Sequence, residues 1–241
     1  EMTSSLVGSE MCIRDRWIRE IECFSKIKSC LILEGNIYDE YPMFNDEKTD
    51  CDDFYDLNTY VYEYYKKSGY SICYYDMING FYNKQRQAEL IDVFDNMLNQ
   101  YSDDEFEEQY NEYKTNQDEK RTDGQIANAI AINYLDASEI IKITLIESEK
   151  PTVFCVNYAS RILTEPSHMS EQERAVFSNY LYASMNAKSN YGNDGITRQN
   201  ILILIVDKIN DIPTWFYLDN PYVKNIMICL LYTSDAADDR I

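Results

Sequence analysis

Asn200-Ile-Leu-Ile-Leu-Ile-Val206 (NILILIV) is the stretch whose reading decides the fold. A β-strand sends successive side chains to opposite faces, so a run that is apolar at every position predicts a strand covered on both faces. Such a strand sits in the middle of a sheet, with helices packed above and below it. Working outward, Thr152–Val156 (TVFCV) follows Pro151 and has the same character. Tyr70–Tyr75 (YSICYY) ends at Asp76, Ser29–Leu33 (SCLIL) runs into the turn Glu34-Gly35-Asn36, and Val223–Ile228 is a candidate fifth strand. Short buried runs bounded by turn residues are the pattern of buried strands.

The stretches between these runs carry helical periodicity. Asp53–Lys67 places Phe54, Leu57, Val61 and Tyr64 on one face and ends at Lys66-Lys67-Ser68-Gly69, predicting a helix with a C-terminal stop. Ala88–Asn99 carries Leu90, Ile91, Phe94, Met97 and Leu98; Gln125–Glu149 carries Ile126, Ala129, Ile130, Asn133, Ala137, Ile140 and Ile141. Ser170 with Glu173 three positions on has the spacing of a capping box. It predicts a helix with the stripe Val176, Phe177, Tyr180, Leu181 and Met185. Tyr191–Arg198 reads as a loop, Asp211–Leu218 as a short helix or turn around Pro213, and the polar stretch 102–124 as an acidic linker or insertion. Strands separated by helices imply βαβ units and a three-layer α/β fold with a mostly parallel, five-stranded sheet.

Both ends carry a different signature. Leu6–Arg16 (LVGSEMCIRDR) and Cys229–Asp239 (CLLYTSDAADD) back-translate into the two tagmentation adapters used in short-read library preparation. Residues 1–16 and 229–241 are therefore expected to be adapter-derived, with 17–228 as the native α/β domain. Setting aside six acids and three bases in those ends changes the formal net charge from −20 to −17. A chain this acidic argues against binding nucleic acid through its phosphates. Cys23, Cys30, Cys51, Cys73 and Cys155 are scattered, without CxxC spacing, which argues against disulfides or zinc; three of them, Cys30, Cys73 and Cys155, lie in apolar runs, which predicts small packing thiols in a reducing, cytoplasmic setting. No apolar run approaches the roughly 20 residues of a membrane-spanning helix.

Ligands of an open α/β sheet gather at the C-terminal ends of the strands, which directs attention to Gly35-Asn36, Asp76, Asn157 and Asp207. The first strand runs into EGNIYDEYP, with one glycine and no lysine; neither GxxxxGK[ST] nor GxGxxG occurs in the chain. Asn157 stands where a nucleotidase would carry an acid at the end of TVFCV. The alternative role for Asn157 is a strand-end hydrogen bond. His168, the single histidine, reads as a surface or pre-cap residue, and Cys155 as a packing thiol. Tyr60, Tyr62, Tyr64 and Tyr65 crowd one helix; packing outweighs a base-stacking surface.

The order of these pieces resembles the α/β core of AAA+ ATPases. LILEGNIYDEYP (31–42), YYDMINGF (74–81), VFCVNYASRIL (153–163) and residues 200–228 resemble segments of a bacterial AAA-type group whose module opens with a GNxxD turn and carries no ordinary Walker A loop. The resemblance implies a P-loop-like sheet of order 5-1-4-3-2. It places Gly35, Asn36 and Asp39 at the phosphate loop, Asn157 at the Walker B position, and Asp207 with Asn210 near the sensor position. It also implies ATP and magnesium as cofactors of the intact protein, and self-association, other AAA+ subunits or another protein as partners, with no membrane partner. The function expected on this basis is a degenerate, nonhydrolytic module serving assembly or partner binding. Two alternatives stay open: an ATP-dependent enzyme with Asp39, Asp76 and Asp207 around a metal, and an α/β interaction domain with no nucleotide history.

Overall fold

The computed structural model describes residues 16–44, 51–82, 133–191 and 194–228. In chain order these residues form α1 (Arg16–Phe24), β1 (Cys30–Gly35), β2 (Glu40–Phe44), β3 (Cys51–Asp56), α2 (Leu57–Lys67), β4 (Ser71–Asp76) and β5 (Gly80–Tyr82). They continue with α3 (Tyr134–Glu147), β6 (Thr152–Val156), α4 (Glu171–Asn186), β7 (Ser189–Tyr191), β8 (Thr197–Gln199), β9 (Ile201–Val206), α5 (Thr214–Tyr217) and β10 (Val223–Ile228). The adapter-like ends 1–15 and 229–241, the expected helix 88–99, the linker 102–124 and residues 125–132 of the expected helix 125–149 lie outside the described residues.

The main sheet runs β10-β1-β9-β6-β4-β5. Its first five strands are mutually parallel, and β5 adds to β4 antiparallel at the edge. Numbered among themselves along the chain, the parallel strands stand in the order 5-1-4-3-2. The sheet therefore has six strands where five were expected, because the turn after Asp76 folds back as a short hairpin. β9 lies between β1 and β6, and every one of its residues is buried. Leu202, Leu204 and Val206 enter one core with Ala137, Ile141, Val176, Phe177 and Tyr180 from α3 and α4. Ile201, Ile203 and Ile205 enter the other, with Trp17, Ile21, Val61 and Tyr65 from α1 and α2. The alternation that makes NILILIV apolar at every position is thus two cores interleaved along one strand.

Helix ends follow local chemistry. In α4 the Ser170 hydroxyl accepts from the Glu173 N–H at 3.2 Å, and Glu173 Oε2 accepts from the Ser170 N–H at 2.7 Å. Glu173 Oε1 accepts in addition from the Thr164 N–H at 2.8 Å, binding the preceding loop to the cap. Asn133 is the N-cap of α3, its Oδ1 accepting from Leu135 N and Asp136 N at 3.0 Å, rather than a member of the helical stripe. Met185 is 52 % exposed, and Ala183 takes the inward position expected of it. Tyr60, Tyr62 and Tyr65 are buried, so the tyrosines of α2 are core side chains; Trp17 packs on Tyr41 and Tyr60 with ring centroids 5.0 and 5.1 Å apart.

The largest departure lies between β1 and α2. The expected helix from Asp53 begins instead at Leu57, and Phe54 belongs to β3, 61 % exposed. β2 and β3 pair antiparallel as a hairpin inserted before the crossover helix. β7 and β8 form a second hairpin within the segment expected to be a loop. Each of these corrections falls on strands of three to six residues.

Candidate functional site

Parallel strands deliver the ends of β1, β4, β6 and β9 to one edge of the sheet, and the side chains found there form two groups. The first surrounds Asp207, which follows β9. Its Oδ1 accepts from the Tyr38 hydroxyl at 2.7 Å, and its Oδ2 accepts from Arg161 at 2.8 Å. The Asp207 N–H donates to Ser160 Oγ at 2.8 Å, tying β9 to the 3-10 turn Ala159–Arg161. Burial, then the hydrogen bond to Asp207 and its charge, raise the Tyr38 hydroxyl above the ordinary tyrosine range. Arg161 is 70 % exposed at its side chain, so this ion pair contributes at most about 1 kcal/mol. Its effect is to fix geometry and neutralise Asp207.

The second group closes the end of β6. Asn157 is buried; its Nδ2 donates to the Tyr82 hydroxyl at 2.6 Å and its N–H to Tyr75 O at 2.8 Å. Asp76 is 1 % exposed and accepts from the N–H groups of Ile78 and Asn79 at 2.8 and 2.6 Å, and from Asn79 Nδ2 at 2.9 Å. Both side chains hold the β4–β5 hairpin against the sheet. Tyr158, next in the chain, is left-handed at φ 53° and 44 % exposed. That conformation costs a non-glycine residue about 1–2 kcal/mol.

At the end of β1, Gly35 has φ +100°, and a Cβ built on it would lie 2.7 Å from Ile228 O. Asn36 donates from its N–H to Ile228 O at 3.0 Å and from Nδ2 to Asp39 Oδ2 at 2.6 Å. Glu34, buried, accepts from the Ile209 N–H at 2.7 Å and from Asn225 Nδ2, so it binds the β9–α5 connection and β10. The GNxxD residues thus form a self-bonded turn that leads into the β2–β3 hairpin.

Between these groups lies a cleft of about 200 Å³, with Ile37, Tyr38, Asp56, Leu57, Asn157 and Tyr158 in its wall. Asn58 and Ile205 complete it. The cleft sits at the N-terminus of α2, the helix that crosses from β1 to β4. Asp56 is the N-cap of α2, its Oδ1 accepting from the Thr59 N–H at 2.8 Å. Asn58 Oδ1 is shut off from solvent with no hydrogen-bond partner, an arrangement that costs about 1–3 kcal/mol.

A nucleoside triphosphate bound at the helix after the first strand relies on open N–H groups, glycine-rich backbone and a lysine. Here a carboxylate occupies the helix terminus, the two lysines of α2, Lys66 and Lys67, lie at its opposite end, and Arg161 is engaged by Asp207. The volume is below the roughly 300–1,000 Å³ of pockets that enclose drug-sized ligands. These residues do not fit a triphosphate with magnesium.

Of the residues singled out from the sequence, Asn157 alone lines the cleft. Gly35, Asn36 and Asp39 stay in their own turn, Asp207 is held by Tyr38 and Arg161, and Asn210 is exposed on the 3-10 turn Ile209–Asp211. Asp39, Asp76 and Asp207 have separate partners, and among the described residues no three His, Cys, Asp or Glu side chains gather in metal-binding geometry. His168 is exposed beside Glu165 and Ser167; Cys155 is buried, which raises its thiol well above the ordinary range. Sequence reasoning missed Asp56, Tyr38, Tyr158 and Arg161. Only Asp56 carried a signal: an Asp directly ahead of a periodic helix is a preferred N-cap.

Five parallel strands in the order 5-1-4-3-2, helices on both faces and polar side chains gathered at the strand C-termini define a Rossmann-like α/β domain. The family described as "AAA+ chaperone, N-terminal Rossmann-like domain" matches residues 15–229, and the chain belongs to it. No curated protein matches the chain. Among the described residues, no helix is long and apolar enough to cross a membrane.

Proposed function

We propose that this domain is a nonhydrolytic, P-loop-like module that serves assembly and protein-partner binding within an AAA+ chaperone. One observation carries the proposal: the N-terminus of the crossover helix, where an NTPase of this topology would receive phosphate, is capped by the chain's own Asp56 carboxylate. A second anion there would meet like charge at contact distance. The inserted β2–β3 hairpin and Asn157, whose amide is spent on Tyr82, support the same conclusion. ATP and magnesium then belong to another module of the intact protein. The partners are further copies, other AAA+ subunits or a protein client, in the cytoplasm, with no role for nucleic acid or membrane. The separate hydrogen bonding of Asp39, Asp76 and Asp207 gives no support to a metal-centred enzyme. Isothermal titration of the chain with ATP and magnesium tests the proposal. No saturable heat is expected; saturable binding that moves the amide resonances of Leu57 and Asn58 would overturn it.

A further inference from the structure

We propose that Tyr38 is a side-chain gate on the cleft at the N-terminus of α2, held closed by Asp207 and opened when that carboxylate passes wholly to Arg161. The phenol stands in the cleft wall with Leu57 and Ile205, yet 68 % of the residue's surface is open to solvent. Its hydroxyl donates to Asp207 Oδ1 at 2.7 Å, the one side-chain hydrogen bond that places the ring there among the described residues. The backbone beneath it is fixed: Asn36 donates from its N–H to Ile228 O and from Nδ2 to Asp39 Oδ2. Movement is therefore confined to the rotamer of one aromatic side chain.

Two arrangements of the same three groups lie close in free energy. In the closed one, Asp207 accepts from Tyr38 at Oδ1 and from Arg161 Nη2 at Oδ2, one bond to each oxygen. Arg161 uses a single N–H of its fork there, on a side chain that is 70 % exposed. Once the phenol leaves, the guanidinium can take both oxygens, the paired geometry in which arginine binds a carboxylate best. Asp207 itself stays in place through its N–H bond to Ser160 Oγ at 2.8 Å. Water receives the departing hydroxyl at this exposed position. Loss of one exposed bond is thus offset by gain of another, and each is worth little beside solvent. Opening withdraws a wall of the cleft and bares Leu57 and Ile205, which are 3 % and 4 % exposed in the closed form.

The test uses the full chain with isotope-labelled methyl groups and a neutral gadolinium chelate as a soluble relaxation probe. Tyr38→Phe keeps the ring and removes the hydroxyl, so the ratio of open to closed forms should rise about fivefold. It is read as faster relaxation of the Leu57 and Ile205 methyls, while those of Leu31 and Ile203, in the same core, keep their wild-type rates. Arg161→Gln removes the group that takes over the carboxylate, and it should slow relaxation at Leu57 and Ile205 below the wild-type rate. That opposite sign separates a gate from a plain structural contact, because loss of a brace would raise exposure in both variants. Both side chains are largely exposed, so the urea midpoint should stay at the wild-type value in each. Unchanged Leu57 and Ile205 rates in Tyr38→Phe, faster relaxation in Arg161→Gln, or an increase shared by Leu31 and Ile203 would overturn the inference.

Discussion

Gly35 joins β1 to the site by two independent constraints. Its φ of +100° lies where side chains are strained, and a Cβ there would press to 2.7 Å on the Ile228 carbonyl. Backbone cannot yield at that point without parting β1 from β10, which pair in register from Cys30↔Val223 to Gly35↔Ile228. Gly35→Ala should therefore destabilise the domain by about 2–4 kcal/mol, read as a lower urea midpoint at unchanged slope. The GNxxD turn was legible as a turn, since a glycine before Asn is a turn signal. Its role was not: the glycine spares a contact with a strand 193 residues later, which no local pattern encodes. The same holds for Asp207, whose partners Tyr38 and Arg161 are 169 and 46 positions away.

The helices divide by how local their chemistry is. The α4 capping box was legible because both halves of it lie within four residues, and the structure repeats the expected bonds. Ser170→Ala should cost about 1 kcal/mol in unfolding free energy. Glu173 adds a pH dependence. Hydrogen bonds from the Ser170 and Thr164 N–H groups stabilise its carboxylate and hold its folded pKa below the ordinary glutamate value. A carboxyl lowered on folding contributes stability above its unfolded pKa and loses it as pH falls through the folded pKa. Wild type should accordingly lose stability below about pH 4.5, and Glu173→Gln should lose less across that window in urea melts against pH. The start of α2 was misread for a physical reason. Phe54 keeps helical spacing with Leu57 and Val61, and strand and helix periods coincide over so few residues. Only the N-cap preference of Asp56 marks the true boundary.

At the scale of the molecule, alternation of apolar runs with helical stretches disclosed the three layers, because a strand buried on both faces leaves an unbroken apolar run in the sequence. The strand order followed from family resemblance, and the observed order 5-1-4-3-2 agrees with it. β5, β7 and β8 escaped notice because three-residue strands are too short to establish a period. The fold is that of a Rossmann-like α/β domain, and the proposed nonhydrolytic role rests on the N-terminus of α2 being capped by Asp56. Steady-state phosphate release by the chain supplied with ATP and magnesium tests that claim most directly. The account predicts a rate equal to the protein-free blank, while sustained release abolished by Asp39→Ala or Asp207→Ala would contradict it.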